Sequence, residues 1–244
     1  MSRIDEMTHV ALIGGRPARY RIRRSDRARR VSMRVTSDDG LVVVMPRRCG
    51  LSDAGRILAE FDKWIARQLE RYGVREGPVR RAVATGRELL VLGEPRRLEL
   101  APLPDGRRRA RIDMQDGTLS ALLAGPDLLD PRPAIERWLR ALAREVIVGR
   151  VLDLWPQVGR TPRKVIIGDR STRWGSCSPS GVLSFCYRLV MAPLPVIDSI
   201  VLHELCHLPH HDHGPRFQAL LTRLCPEHRR HRAWLRAHEG ELRL

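Results

Sequence analysis

Residues 203 to 213 read HELCHLPHHDH and hold five of the chain's nine histidines. His203 and His207 stand four apart, so on a helix their imidazoles leave one face a turn apart and can share a cation. Glu204, beside the first histidine, is placed to reach a water held by that cation rather than the cation itself. This is the H-E-x-x-H arrangement, in which zinc lowers the water's pKa and the carboxylate takes its proton. Catalytic zinc takes three protein ligands and keeps one position open. Pro209 removes the amide that would bond to the Leu205 carbonyl, so the helix is expected to be disturbed there and the chain to turn back with a further ligand. His213, beyond the break, is favoured as the third ligand. His211 is the next candidate and needs the helix to persist. His210 and His211 otherwise read as exposed polar surface or as neighbours of the ligands.

The elements that must position these residues are legible around them. The apolar run VIDSIVL leads into the motif behind Pro193 and Pro195, as expected of a helix start with one buried face. Before it, TRWGSCSPSGVLSFCYRLV reads as a hairpin turning at Ser178-Pro179-Ser180-Gly181, its second arm alternating Val182, Ser184, Cys186 and Arg188 against Leu183, Phe185, Tyr187 and Leu189. KVIIGD (164 to 169) is a further β-type run. Pro131 and Pro133 open a long helix that ends near Pro156 and Gly159. Residues 8 to 45 read as a small antiparallel sheet with a turn at Asp39-Gly40. LSDAGRILAEFDKWIARQLERYG reads as one amphipathic helix capped by Ser52 and stopped by Gly73, with its aromatic residues in the core. Residues 85 to 125 return to strands, with turns at Gly93-Glu94-Pro95, Asp105-Gly106 and Asp116-Gly117. The expected organisation is a strand-rich region with one helix over 1–130 and a catalytic domain over 131–244, or one continuous domain. No internal repeat is evident.

Composition narrows the class. A hydrophobic share of 43% over 244 residues suffices for a core. No stretch reaches the roughly 18 apolar residues that cross a bilayer, and the start lacks a secretory layout, so a cytoplasmic protein without a membrane partner is expected. The five cysteines are scattered with no C-x-x-C pair, unlike a disulfide framework. A net charge of +16 would draw nucleic acid or any acidic surface at low salt. Arginine nevertheless occurs in nearly every segment, whereas a dedicated binding face would concentrate it, although 21 to 30 and 105 to 112 are local peaks.

The segment TRWGSCSPSGVLSFCYRLVMAPLPVIDSIVLHELCHLPHHDHGPRF closely resembles the YgjP-like metallopeptidase family, relatives of the SprT-like and WLM zincins. The family pattern is an R-W-G-S-C-S hairpin, an R-L strand end, a proline-started helix with H-E-L-x-H, then N-H-S-x-x-F. The specific match runs from Arg170 to about Trp234, and the N-terminal strands and FDKWIARQLE resemble the family more loosely. The resemblance implies an α+β fold, in which a strand-rich N-terminal half is followed by a zincin-like metallopeptidase domain with an HExxH active-site helix. It also implies Zn2+ bound by His203, His207 and His213, Glu204 as catalytic base, and a peptidase of the gluzincin or SprT-like type. Asp212, Gly214, Gln218, Cys186 and Ser199 depart from the pattern without touching a proposed ligand. The metzincin family shares the H-E-x-x-H-x5-H spacing and is excluded, because His210 fills its glycine position and no methionine follows Met191.

By analogy with zincins, VLSFCYRL would offer backbone groups to an extended peptide. Arg188 or Arg173 are candidates to stabilise an oxyanion, against the plainer reading of structural salt bridges. Trp174 and Gly175 read as hairpin-shaping residues. Asp198, Glu227 and Glu239 are candidates to orient a ligand imidazole. Three functions compete. The leading one is a zinc-dependent peptidase acting on a protein or peptide. The second is a nucleic-acid-associated factor, including a peptidase of DNA-bound proteins. The third is a structural zinc module, which needs a fourth ligand such as His211 or Cys206.

Overall fold

The computed structural model describes residues 8–26, 28–36, 39–77, 83–104, 110–170 and 173–244. The expected turn at Asp105-Gly106 and most of the second arginine peak lie outside the described residues. The chain divides into two compact units, Met1–Arg81 and Ala82–Leu244. Among the described residues, no helix is long and apolar enough to cross a membrane.

The first unit opens with β1 (Thr8–Ile13), β2 (Arg16–Ser25), β3 (Ser32–Thr36) and β4 (Gly40–Pro46), in the spatial order β1-β2-β4-β3. β1 with β2 and β3 with β4 are antiparallel hairpins, but the central β2–β4 pair is parallel, so the sheet is mixed rather than antiparallel. Two hairpins laid side by side bring their second strands together, and those strands run the same way. The period-2 pattern marks strands but carries no information on their direction.

The helix expected over 51–72 is two helices, α1 (Leu51–Glu60) and α2 (Asp62–Tyr72), because Phe61 leaves helical geometry at φ −107° and ψ 19°. Its start is capped by Gly50 and Asp53 instead of Ser52: the Gly50 N–H donates to the Asp53 carboxylate at 2.9 Å. Ala54, Leu58, Ile65 and Leu69 bury themselves with Val43 and Met45. Phe61 and Trp64 are 41% and 39% exposed, contrary to the core placement expected of them. Gly73 ends α2 in the left-handed conformation, as the sequence suggests.

The second unit opens with a four-stranded sheet of the same topology. β5 (Glu88–Val91), β6 (Glu94–Pro102), β7 (Arg111–Gln115) and β8 (Thr118–Leu123) take the order β5-β6-β8-β7 with a parallel central pair. α3 (Pro126–Leu129) and the long α4 (Arg132–Leu154) follow. Then come β9 (Lys164–Gly168), β10 (Gly175–Cys177) and β11 (Val182–Cys186), a second sheet with β11 in the centre, antiparallel to β10 and parallel to β9. α5 (Leu194–Cys206), α6 (Pro215–Leu224) and α7 (His228–Ala237) complete it. Leu98, Leu119, Ile135, Ile147, Phe185, Ile197 and Leu205 belong to one continuous core, so the expected boundary near 130 falls inside this unit.

The entry to α5 is clamped. The Leu92 and Gly93 amides of the β5–β6 turn donate to the Val190 and Met191 carbonyls at 2.9 and 3.0 Å, just ahead of Pro193. Gly93 sits at φ +83°, and a Cβ there would lie 2.7 Å from the Pro193 Cα. Gly93→Ala therefore combines left-handed strain with a backbone collision. It is expected to cost at least about 2 kcal/mol and lower Tm by roughly 4–8 °C, read by calorimetry.

Candidate metal centre

α5 is apolar on nearly every side. Val196, Ile197, Val201, Leu202 and Leu205 are buried, and each such side chain stabilises the fold by about 2 kcal/mol. This anchoring holds His203 and Glu204 in the last turn. The helix closes at Cys206, with His207 as its C-terminal cap, and the Leu205 carbonyl accepts the Leu208 amide at 2.9 Å. The chain thus leaves helical geometry ahead of Pro209, doubles back, and enters α6 behind Gly214.

That reversal brings His213 against the helical pair. The ligand-capable nitrogens of His203, His207 and His213 lie within 4.8 Å of one another. The His203 and His213 Nε2 atoms are 3.3 Å apart, the spacing of two nitrogens around a tetrahedral ion with bonds of about 2.0 Å. The His207 Nδ1 lies 3.1 Å from the His210 carbonyl, a partner that places the proton on Nδ1 and leaves Nε2 as a lone-pair donor. Burial, then the neighbouring His207 and His213, lower the His203 pKa to about 4, and burial also lowers that of His207. Both rings are therefore neutral near pH 7, as a metal requires of its ligands. The donor set fits a divalent, zinc-type ion.

Of the alternative ligands, His211 is exposed and outside the cluster, and Cys206 is fully buried in the core. His210 contributes through its backbone rather than its ring. Among the described residues the cluster has three members, the number of protein ligands a catalytic zinc site takes and one fewer than a closed structural site.

The rings are backed by Phe217, a residue that sequence reasoning gave no role. It is 0% exposed, and its ring lies 5.0, 4.5 and 4.9 Å from those of His203, His207 and His213, centroid to centroid. The only sequence signal was its position as the aromatic residue closing the family pattern.

Glu204 is 6% exposed, and burial raises its pKa to about 7 against the opposing pull of Arg173. It packs against the backbone of β10: a Cβ on Gly175 would stand 2.6 Å from both Cγ and Oε1 of Glu204. Gly175 therefore provides the space in which the carboxylate sits, a function beyond shaping the hairpin. Gly175→Ala is expected to displace Glu204 and lower any Glu204-dependent turnover by about a hundredfold, with metal content retained. Rates beside metal analysis check it.

Several expected neighbours are engaged elsewhere. Asp198 forms a two-point pair with Arg150 of α4 at 2.6 and 2.9 Å, Glu227 pairs with Arg230 and faces His231 at 4.0 Å, and Glu239 pairs with Arg243, so these contacts engage none of the three with His203, His207 or His213. Arg188 is buried, paired with Asp169 at 3.0 Å and donating to the Arg170 carbonyl at 2.8 Å. The strand ends at Cys186 and residues 187 to 191 coil into a 3-10 turn, which carries Arg188 into this structural bridge. β11 lies between β10 and β9, so its backbone is already paired on both sides; the outer strands are β10 and β9, and β10 is the one that carries Gly175 against Glu204. In the first arginine peak, Arg21 binds Asp39 and Arg24 binds the carbonyls of Arg47 and Cys49.

A cleft of about 400 Å³ opens beside the histidines, lined by Gly175, His203, Glu204 and His213. Arg173 is the member of the expected arginine pair that reaches it. Ser199 and Gln218, two departures from the family pattern, also line it, and contrary to the expectation that no departure touches a ligand, Gln218 donates to the His213 carbonyl at 3.3 Å.

Residues 29–238 match the family described as YgjP-like, metallopeptidase domain. No curated protein and no solved structure matches the chain.

Proposed function

Because the chain belongs to the YgjP-like metallopeptidase family, we propose that it hydrolyses peptide bonds with a zinc ion held by His203, His207 and His213 and with Glu204 as general base. The observation that carries this reading is the convergence of three imidazole donors, with His203 and His213 lining one cleft together with the buried Glu204 carboxylate. Zinc in such a site supplies Lewis-acid polarisation of the substrate carbonyl and a lowered water pKa.

The protein groups supply the rest. A Glu204 Oε takes a proton from the attacking water and delivers it to the leaving amine nitrogen. Gly175 allows that carboxylate to lie against β10, and the His210 carbonyl holds His207 with its lone pair toward the other two rings. The unpaired edge of β10 runs past Glu204, so an extended peptide that added to it as a strand would pass the carboxylate.

The test is a diverse peptide mixture read by mass spectrometry with zinc-loaded protein, with chelated protein, and with chelated protein resupplied with zinc. Cleavage is expected in the first and third arms only. Intact peptides with one bound zinc per chain would overturn the reading.

A further inference from the structure

The cleft beside the histidines has a one-sided charge. α7 carries His228, Arg232 and Arg236 at intervals of four, so they leave one face of the helix, and all three line the cleft. Arg173 lines it as well, next to Gly175. Glu204 is the one acidic lining residue, and its carboxylate is committed to the reaction proposed above. The nearby acids are spent on other partners: Glu227 on Arg230, Glu239 on Arg243, Asp198 on Arg150. Among the described residues no ion pair engages Arg173, Arg232 or Arg236. Trp174, Ile200, Leu221 and Leu235 supply apolar lining beside these cations.

We propose that this cleft is a specificity subsite for a carboxylate carried by the peptide substrate close to the scissile bond, an inference that rests on the peptidase reading. A methylene stem covers the Ile200 and Leu235 wall while the carboxylate reaches the Arg232 and Arg236 guanidinium groups, whose planar forks match its geometry. A volume of about 400 Å³ takes one such side chain with its flanking main chain. Because His203, Glu204 and His213 share the lining, the recognised residue flanks the bond that is cut. The carboxylate belongs either to an internal Asp or Glu or to the peptide's C-terminus.

The test compares full-length protein with R232Q/R236Q, and with R223Q/R229Q as a control that removes the same charge outside the cleft lining. Matched peptides carry Glu or Gln beside the cleaved bond, each with a free or an amidated C-terminus. Rates are measured with zinc-loaded protein. Affinities are measured by fluorescence anisotropy on the E204Q background, at fixed ionic strength, where no turnover is needed. An acid is expected to be favoured over its amide by about tenfold in both measurements. That ratio falls below about twofold in R232Q/R236Q and persists in R223Q/R229Q. The internal and terminal arms tell which carboxylate is read.

A ratio unchanged in R232Q/R236Q, or lost equally in the control, overturns the proposal. So does a single-stranded oligonucleotide that displaces peptides while Glu and Gln peptides bind alike, a result pointing to a polyphosphate partner. If the E204Q protein discriminates acid from amide while zinc-loaded protein cuts nothing, the cleft assignment stands and the peptidase reading fails. Cleavage without acid preference has the opposite meaning.

Discussion

Glu204→Gln is expected to lower the proposed peptide hydrolysis by about a thousandfold while leaving one metal per chain, the span expected for loss of a positioned general base. Glutamine has the shape of glutamate, so it fits the space that Gly175 leaves beside β10 without the collision a larger group would meet. It has no lone pair basic enough to take a proton from water. The three imidazoles do not depend on the carboxylate for their orientation, since Phe217 backs the rings and the His210 carbonyl holds His207. Binding of metal and loss of turnover therefore separate. Burial already disfavours the Glu204 charge, so the neutral amide removes a desolvation cost, and metal-free E204Q is expected to melt no lower than metal-free wild type. Steady-state rates, metal analysis by mass spectrometry and calorimetry on the same preparations check all three parts. Retained hydrolysis in E204Q would remove this residue from the mechanism.

The second large effect is on metal affinity, and it distinguishes two nearby histidines. His213→Ala deletes one of three converging donors and is expected to weaken zinc binding by at least about a hundredfold, taking hydrolysis with it. His211→Ala removes an exposed ring outside the cluster and leaves both intact. Competition against a chromophoric chelator measures both affinities. The reverse pattern would move the third ligand to His211 and would require the chain after Pro209 to run differently. Neither substitution enters the hydrophobic core, so folding is expected to survive in both, and far-ultraviolet circular dichroism provides that control.

The same distinction runs through the whole molecule. The sequence by itself determined what depends on near neighbours along the chain. The i, i+4 spacing puts His203 and His207 on one side of any helix they share, and Pro193 and Pro195 mark that helix's start. Glycine at 73 stops α2, and the 178–181 turn joins β10 to β11. The resemblance of residues 170–234 to one family already rested on this local pattern.

Tertiary structure decided whatever depends on two distant segments meeting. Alternating residues in VLSFCYRL identify a strand, but only its pairing with both β9 and β10 makes β11 the centre and leaves β10, beside Glu204, as an outer strand. The parallel central pair in each four-stranded sheet has the same cause, since strand direction is not written in a period of two. Arg188 looked available to a substrate until the end of β11 turned it onto Asp169. Gly175 and Glu204 are 29 positions apart, and the need for a missing side chain at one is visible only when the other packs against it. Phe217 behind three imidazoles, and the cationic face of α7 along the cleft, arise in the same way. A residue's type and spacing limit what it can do. What it touches is set by the close packing of elements whose contacts leave no periodic trace in the sequence.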